Sequence, residues 1–305
     1  MNRTNHIMLV RPASFGYNQE TAESNAFQNK IDKDAEAVKN EAIAEFDAFA
    51  QKLRDNGVSV EIIQDTEAPI KPDAIFPNNW GSFHPDGRVI LYPMCAPNRR
   101  IEKRPEILDQ LREKFDIKEL IDLSKYEGEN RFMEGTGSIV FHHRSKKAYA
   151  CLSERTDKAI FEEVCEILGY KAISFFSRDQ KGFEIYHTNV MMCMASEYAI
   201  VCMESITDET ERENVAMEIL DSGQELIDVS YEQINQFAGN ALEVANEKGE
   251  SCLALSMSAY KALTDKQKEK IEKYSKFIPL EINTIETIGG GSARCMMAEI
   301  YLPKK

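Results

Sequence analysis

Five residues of chemically capable types recur at nearly equal intervals: Asn79, Glu134, His187, Asn240 and Cys295, separated by 55, 53, 53 and 55 residues. A cysteine, a histidine and a carboxylate together are equipment for nucleophilic catalysis. The thiolate attacks, the imidazole carries the proton, and the carboxylate accepts N–H groups. Cys295 closes the run GGGSARC, whose glycines let the backbone come close to a ligand. Arg294 beside it is expected to favour the thiolate. Cys151, Cys165, Cys193, Cys202 and Cys252 lie instead within apolar runs and read as packing, the ordinary fate of cysteine. Met191, Met192 and Met194 read the same way. His187 stands just before a strand in YHTNV, and Glu134 sits among glycines in MEGTGS. His6, His84, His142 and His143 lie near the terminus or in turns and are weaker candidates.

Each of the five residues precedes a repeated pattern of hairpin, helix and strand. Residues 139–142 and 148–152 flank a basic turn; Ser153 is the expected N-cap of a helix running to Leu168, Gly169 stops it, and 172–176 is a strand. Further copies fall at 190–194, 198–203, 209–220 and 226–229, and at 241–245, 252–256, 265–274 and 277–282. Another occupies 81–92, 104–115 and 118–123. The clearest helix spans 32–56, where Ala35, Val38, Ala42, Phe46, Phe49 and Leu53 recur at three- and four-residue steps. It belongs to a split copy in which 296–301 pairs with 7–10 and a strand at 58–63 completes the unit. Five units averaging about sixty residues suit a repeat architecture. Joining the first and last strands closes a ring and removes sheet edges. The expectation is therefore one domain over 1–305, a five-bladed α/β propeller of ββαβ repeats, with an open α/β sandwich as the alternative. In such a ring the five residues converge on the axis.

Composition narrows the function. The net charge of −14 opposes binding to nucleic acid. No stretch approaches the length of a membrane span, and the polar residues among the first ten exclude a signal peptide. Seven cysteines without paired spacing fit free thiols in a reducing cytoplasm. No Walker loop, dinucleotide fingerprint, G-x-S-x-G or H-E-x-x-H motif occurs, and no histidine and cysteine spacing suits a metal, so neither cofactor nor metal is expected. A homo-oligomer stays open.

At GGGSARCM, EGTGS and PNNWG the chain resembles the amidinotransferase and arginine deiminase superfamily, whose members are five-fold α/β propellers, and most closely its citrulline-utilisation branch. The resemblance implies Cys295 as nucleophile, His187 as acid and base, Glu134 as binder of substrate N–H groups and Asn79 as a pocket residue; Asn240 and Gly290 join the candidate substrate site. Guanidine-acting members usually carry an aspartate after arginine where this chain has Asn78-Asn79, and H-x-D where it has His187-Thr188-Asn189. Neutral amides suit a ureido group, which needs both an acceptor and a donor, better than a guanidinium. Citrulline is thus favoured over arginine, with Asp73 or Asp86 as the carboxylates that would reverse the preference. Arg11, Arg131, Arg155 and Arg294 are candidate forks for an amino acid's carboxylate, Arg131 preferred. Amidino transfer and a non-catalytic propeller that only binds are the rival readings.

Overall fold

A computed structural model describes residues 3–22, 25 and 27–305. It has five separate three-stranded sheets, each built to one plan. In the first complete unit, β3 (Gly81–Phe83) pairs antiparallel with β4 (Arg88–Leu91), which pairs parallel with β5 (Glu119–Asp122). The next holds β6 (Val140–His142), β7 (Lys147–Cys151) and β8 (Lys171–Phe175). Then follow β9 (Met192–Met194), β10 (Tyr198–Val201) and β11 (Glu225–Asp228), and β12 (Leu242–Ala245), β13 (Ser251–Ser256) and β14 (Lys276–Leu280). The split unit joins β15 (Ala298–Glu299) antiparallel to β1 (His6–Arg11), with Ile7 opposite Glu299, and β1 runs parallel to β2 (Ser59–Gln64).

A helix makes each parallel crossover: α1 (Ala35–Asp55), α2 (Pro105–Lys114), α3 (Lys158–Leu168), α4 (Glu209–Asp221) and α5 (Asp265–Glu272). Their starts follow from side-chain caps. Asp34 accepts from the Ala37 N–H at 2.9 Å, and Val38, Ala42, Phe46, Phe49 and Leu53 then bury one face of α1. The expected cap of α3, Ser153, is displaced four residues to Asp157, which accepts from the Ile160 N–H. Ser153 is occupied elsewhere: its hydroxyl donates to the Tyr186 carbonyl and accepts from the Arg155 N–H, holding a tight turn over 153–156.

Central strands are buried on both sides, so β7, β10 and β13 read as continuous apolar runs rather than alternating ones. The sheets pack around an axis through their first strands. Ile300 bridges to Phe83, and the Ala245 N–H donates to the Thr4 carbonyl at 2.8 Å, so the split unit sits between its neighbours in the ring. β9 packs beside β6 on one side and β12 on the other. The sheets themselves are not closed, in contrast to the expectation that terminal pairing removes every edge; each keeps its own two edge strands. The architecture is otherwise the expected five-fold α/β propeller, and pairing of the first and last strands is present. No helix among the described residues is long and apolar enough to cross a membrane.

Candidate active site

The chain enters the inner strands through short turns, and these turns carry the chemistry. Glu134 and His187 are the N-cap residues of single helical turns at Gly135–Ser138 and Thr188–Met191; Cys295 lies within the turn Ala293–Met296. Asn79 ends a 3₁₀ turn directly before β3. A helical turn aims its first side chains at the axis while the following strand stays in its sheet. Residues more than 200 positions apart therefore meet.

They meet at a narrow cleft lined by Thr21, Asn25, Asp73, Phe76, Asn79, Arg99, Arg155, Tyr186, His187, Gly289 to Gly291 and Cys295. The Cys295 side chain is near the surface of this cleft, in a residue only 6% exposed. Its backbone N–H donates to the Ser292 carbonyl, and the Ser292 hydroxyl donates to Glu286 at 2.6 Å, which anchors the glycine-rich loop from behind.

Glu134 is fully buried and has both oxygens engaged. Oε2 accepts from His187 Nε2 at 2.8 Å and faces Arg155 Nη1 at 3.5 Å, while Oε1 accepts from the Cys95 N–H at 3.0 Å. Burial alone would raise its pKa, but Arg155, the His187 bond and Arg99 together outweigh burial and hold the carboxyl well below the usual range. It is therefore an anion that can only accept. That fixes the imidazole tautomer, with hydrogen on Nε2 and the lone pair on Nδ1 when the ring is neutral. Burial lowers the His187 pKa, and the Glu134 bond works against that lowering without cancelling it. Neutral imidazole is thus the form present at neutral pH.

Asn79 is oriented by Arg99, whose Nη1 donates to Asn79 Oδ1 at 2.7 Å. Its amide Nδ2 is a buried donor without a partner among the described residues, facing Gly137. Arg99 is locked by two 2.9 Å bonds to Glu102. Beside Arg99, Asp73 Oδ2 accepts from Asn18 at 2.7 Å, and Oδ1 has no partner among the described residues. Burial raises its pKa, opposed by Arg99 and the Asn18 bond. Of the two carboxylates named as alternatives, Asp73 is at the cleft; Asp86 is on a surface turn, paired to Arg88.

Several expectations change. Arg131 is not at the cleft: its guanidinium is bidentate to Asp157 at 3.1 and 3.0 Å and also meets Glu129. Arg11 is likewise taken by Asp47. Arg294 is turned away from the thiol, donating to the Met297 carbonyl and to Glu299 at 2.6 Å. Only Arg155 of the four candidate forks lines the cleft, its guanidinium 5.0 Å from the Tyr186 ring centroid. Asn78 lies under the site rather than in it; its carbonyl accepts from the Thr136 hydroxyl, and its side-chain amide has no partner. Asn189 and Asn240 contact the Cys295 sulfur instead of the cleft space, at 3.5 and 3.3 Å. Gly290 does line the cleft, with φ of +64° and Asn25 and the Gln28 N–H where a Cβ would stand, so a side chain there is excluded. Sequence reasoning missed Arg99, Thr21, Asn25, Phe76 and Tyr186. Only Tyr186 carried a signal, its place next to His187.

With this geometry in hand the comparisons are specific. A family model described as N,N dimethylarginine dimethylhydrolase, eukaryotic, matches residues 11–302. The chain belongs to that family. It is thereby a pentein of the amidinotransferase and arginine deiminase-like superfamily, homologous to hydrolases acting on guanidino C–N bonds. No curated protein matches it. Among solved structures, the N-terminal domain of ArgZ, an arginine dihydrolase of the cyanobacterial ornithine-ammonia cycle, seen as a Cys-to-Ser mutant bound to substrate, superposes with a TM-score of 0.75 at 16% identity, covering 98% of both chains. An apo structure of ArgZ gives 0.76 at 17% identity, and this chain spans about 41% of that chain's length. A dimethylarginine dimethylaminohydrolase His-to-Gly mutant, an adduct with S-methyl-L-thiocitrulline, gives 0.66 at 16% identity over 97% of this chain and 99% of that one. At these identities the structures support the fold.

Gly137 shows how tightly the site is packed. A Cβ there would lie 2.4 Å from Asn79 Nδ2 and 2.8 Å from His187 Nδ1. Gly137→Ala is expected to lower turnover about a hundredfold, the cost of an ångström-scale misplacement, while the chain still folds. Steady-state kinetics beside a thermal denaturation curve checks this; turnover within threefold of wild type contradicts it.

Proposed function

We propose that this chain hydrolyses the guanidino C–N bond of an arginine-type amino acid through a covalent intermediate on Cys295. The observation that carries the reading is one cleft holding the Cys295 thiol, His187 tethered to ionised Glu134, and the unpaired Asp73 Oδ1. The ligands seen in ArgZ and dimethylarginine dimethylaminohydrolase support it.

The steps follow from the side chains. Neutral His187 takes the thiol proton at Nδ1, and the Cys295 sulfur attacks the central guanidino carbon. As the tetrahedral centre collapses, a C–N bond breaks and the departing amine takes the proton from His187. This leaves an amidino group on sulfur. His187, neutral again, removes a proton from water; the C–O bond forms, the C–S bond breaks with its electron pair returning to sulfur, the sulfur takes the proton back from His187, and a ureido amino acid leaves. Glu134 orients the imidazole and balances its transient charge, so its role moves from contacting substrate to positioning His187. Asp73 accepts guanidinium N–H groups, and Arg155 is the fork for the substrate carboxylate in place of Arg131.

A second reading has its own support. The unpaired Asn79 Nδ2 is a donor suited to a ureido carbonyl, so citrulline, split to ornithine, is a substrate of the same apparatus. The carboxylate at Asp73 puts the guanidino compound first and the ureido compound second, reversing the order expected from the amides alone.

Purified protein is to be incubated separately with arginine, an N-methylated arginine and citrulline, with amine release, citrulline and ornithine assayed beside Cys295→Ala. Citrulline from either guanidino substrate, absent in the variant, is the expected result. Ornithine from citrulline with both guanidino compounds inert supports the second reading over the first. Silence with all three, or equal activity in Cys295→Ala, rules out both.

The pH profile is an independent check. His187 must be neutral to accept a proton, so kcat/KM falls as acid protonates it. Because burial lowers its pKa, the acid limb is expected below the ordinary value of 6.5. Glu134→Gln removes the interaction that raises that pKa, so the limb moves further towards acid while kcat drops. A limb above 6.5 in the wild type, or a shift to higher pH in the variant, contradicts the assignment.

A further inference from the structure

Two buried amides from different sheets converge on the Cys295 sulfur. Asn189 Nδ2 approaches to 3.5 Å and Asn240 Nδ2 to 3.3 Å, both within reach of sulfur as acceptor. The Asn240 amide cannot be the other way round. Its Oδ1 accepts from the Arg294 N–H at 3.0 Å and its Nδ2 also donates to the Asn189 carbonyl at 2.9 Å. A flip would set oxygen against oxygen and N–H against N–H. The same Oδ1 lies 3.7 Å from the sulfur, close enough to take a weak S–H bond while the thiol is protonated. Neither residue is more than 1% exposed, so water cannot substitute for them. Neither borders the cleft space, so substrate does not compete for their donors.

We propose that Asn189 and Asn240 form a neutral clamp that holds the charged Cys295 sulfur, during attack and again when it leaves the intermediate. The proposal rests on Cys295 being the nucleophile. It assigns these asparagines to the reacting atom and not to the substrate, as catalytic groups. Its chemical consequence is specificity. Hydrogen bonds from uncharged donors stabilise a thiolate whether or not a cation is bound. An enzyme with this clamp therefore need not rely on a guanidinium's positive charge to form its nucleophile, and a neutral ureido group becomes an accessible substrate. Burial pushes Cys151, Cys165, Cys193 and Cys202 up to about 12, and burial with Glu134 nearby pushes Cys95 up to about 11. Among the described residues, none of those thiols is met by a pair of amide donors.

The test is the rate at which iodoacetamide alkylates Cys295 at neutral pH without substrate, followed by peptide mass spectrometry. Asn189→Asp and Asn240→Asp keep the side-chain shape and replace a donor by an anion. Each is expected to slow alkylation by about tenfold or more, the scale of one hydrogen bond to a charged group, in a variant whose circular dichroism shows that it is folded. Rates within twofold of wild type in a folded variant overturn the clamp. In the wild type, Cys295 is expected to react faster than the more exposed Cys95; Cys95 reacting first overturns the clamp without any variant. Because no turnover is measured, slow alkylation in the variants supports the clamp even if the wild type proves inert towards guanidino compounds, an outcome that refutes the functional reading alone.

Discussion

The site depends on one buried anion. Glu134 has no exposure to water, and its charge is tolerated only because His187, the Cys95 N–H and Arg155 surround it. Removing a partner from such a buried group typically costs about 3–5 kcal/mol. The arrangement is therefore self-enforcing: the carboxylate needs the imidazole as much as the imidazole needs orientation. Through Arg155 the same charge reaches the carbonyl of Thr21, on the segment that covers the cleft. Through Cys95 it reaches the loop after β4. Three parts of the chain are thus held to one another by a single side chain.

Around that anion the rest of the site is built from neutral donors and balanced pairs. Arg99 is neutralised by Glu102 and spends a further N–H on orienting Asn79. The sulfur is met by amides and not by a guanidinium. Among the described residues, the cations nearest the Cys295 sulfur are each paired to a carboxylate: Arg294 to Glu299 and Arg155 to Glu134. Asp73, contributed by a different segment, brings a carboxyl group to the cleft, where the motif positions hold amides.

Much of this was legible in the sequence because the repeat is legible. Central strands announce themselves as apolar runs, and Asn56-Gly57 and Gly169 mark where helices stop. The spacing of Asn79, Glu134, His187, Asn240 and Cys295 reports the five-fold axis directly, since each precedes an inner strand. What was not legible depends on side-chain direction. Arg294 is next to Cys295 in sequence, yet Glu299 draws its guanidinium away. Arg131 lies three residues from Glu134, yet Asp157, placed as the N-cap of α3, captures it. Arg99 sits in no motif; its place at the cleft follows from a salt bridge three residues long and from carbonyls of the 73–76 turn. Pairing of charges across a fold cannot be read from their order along a chain.

The central claim is that Cys295 becomes covalently attached to the carbon whose C–N bond is cleaved. The most direct measurement is intact-protein and peptide mass spectrometry after incubating a His187→Gly variant with S-methyl-L-thiocitrulline, since loss of the proton carrier should stall release of the intermediate. The account predicts a mass increase confined to the peptide containing Cys295, absent when Cys295 is also replaced by serine. No adduct on a folded protein, or an adduct that survives replacement of Cys295, would contradict it.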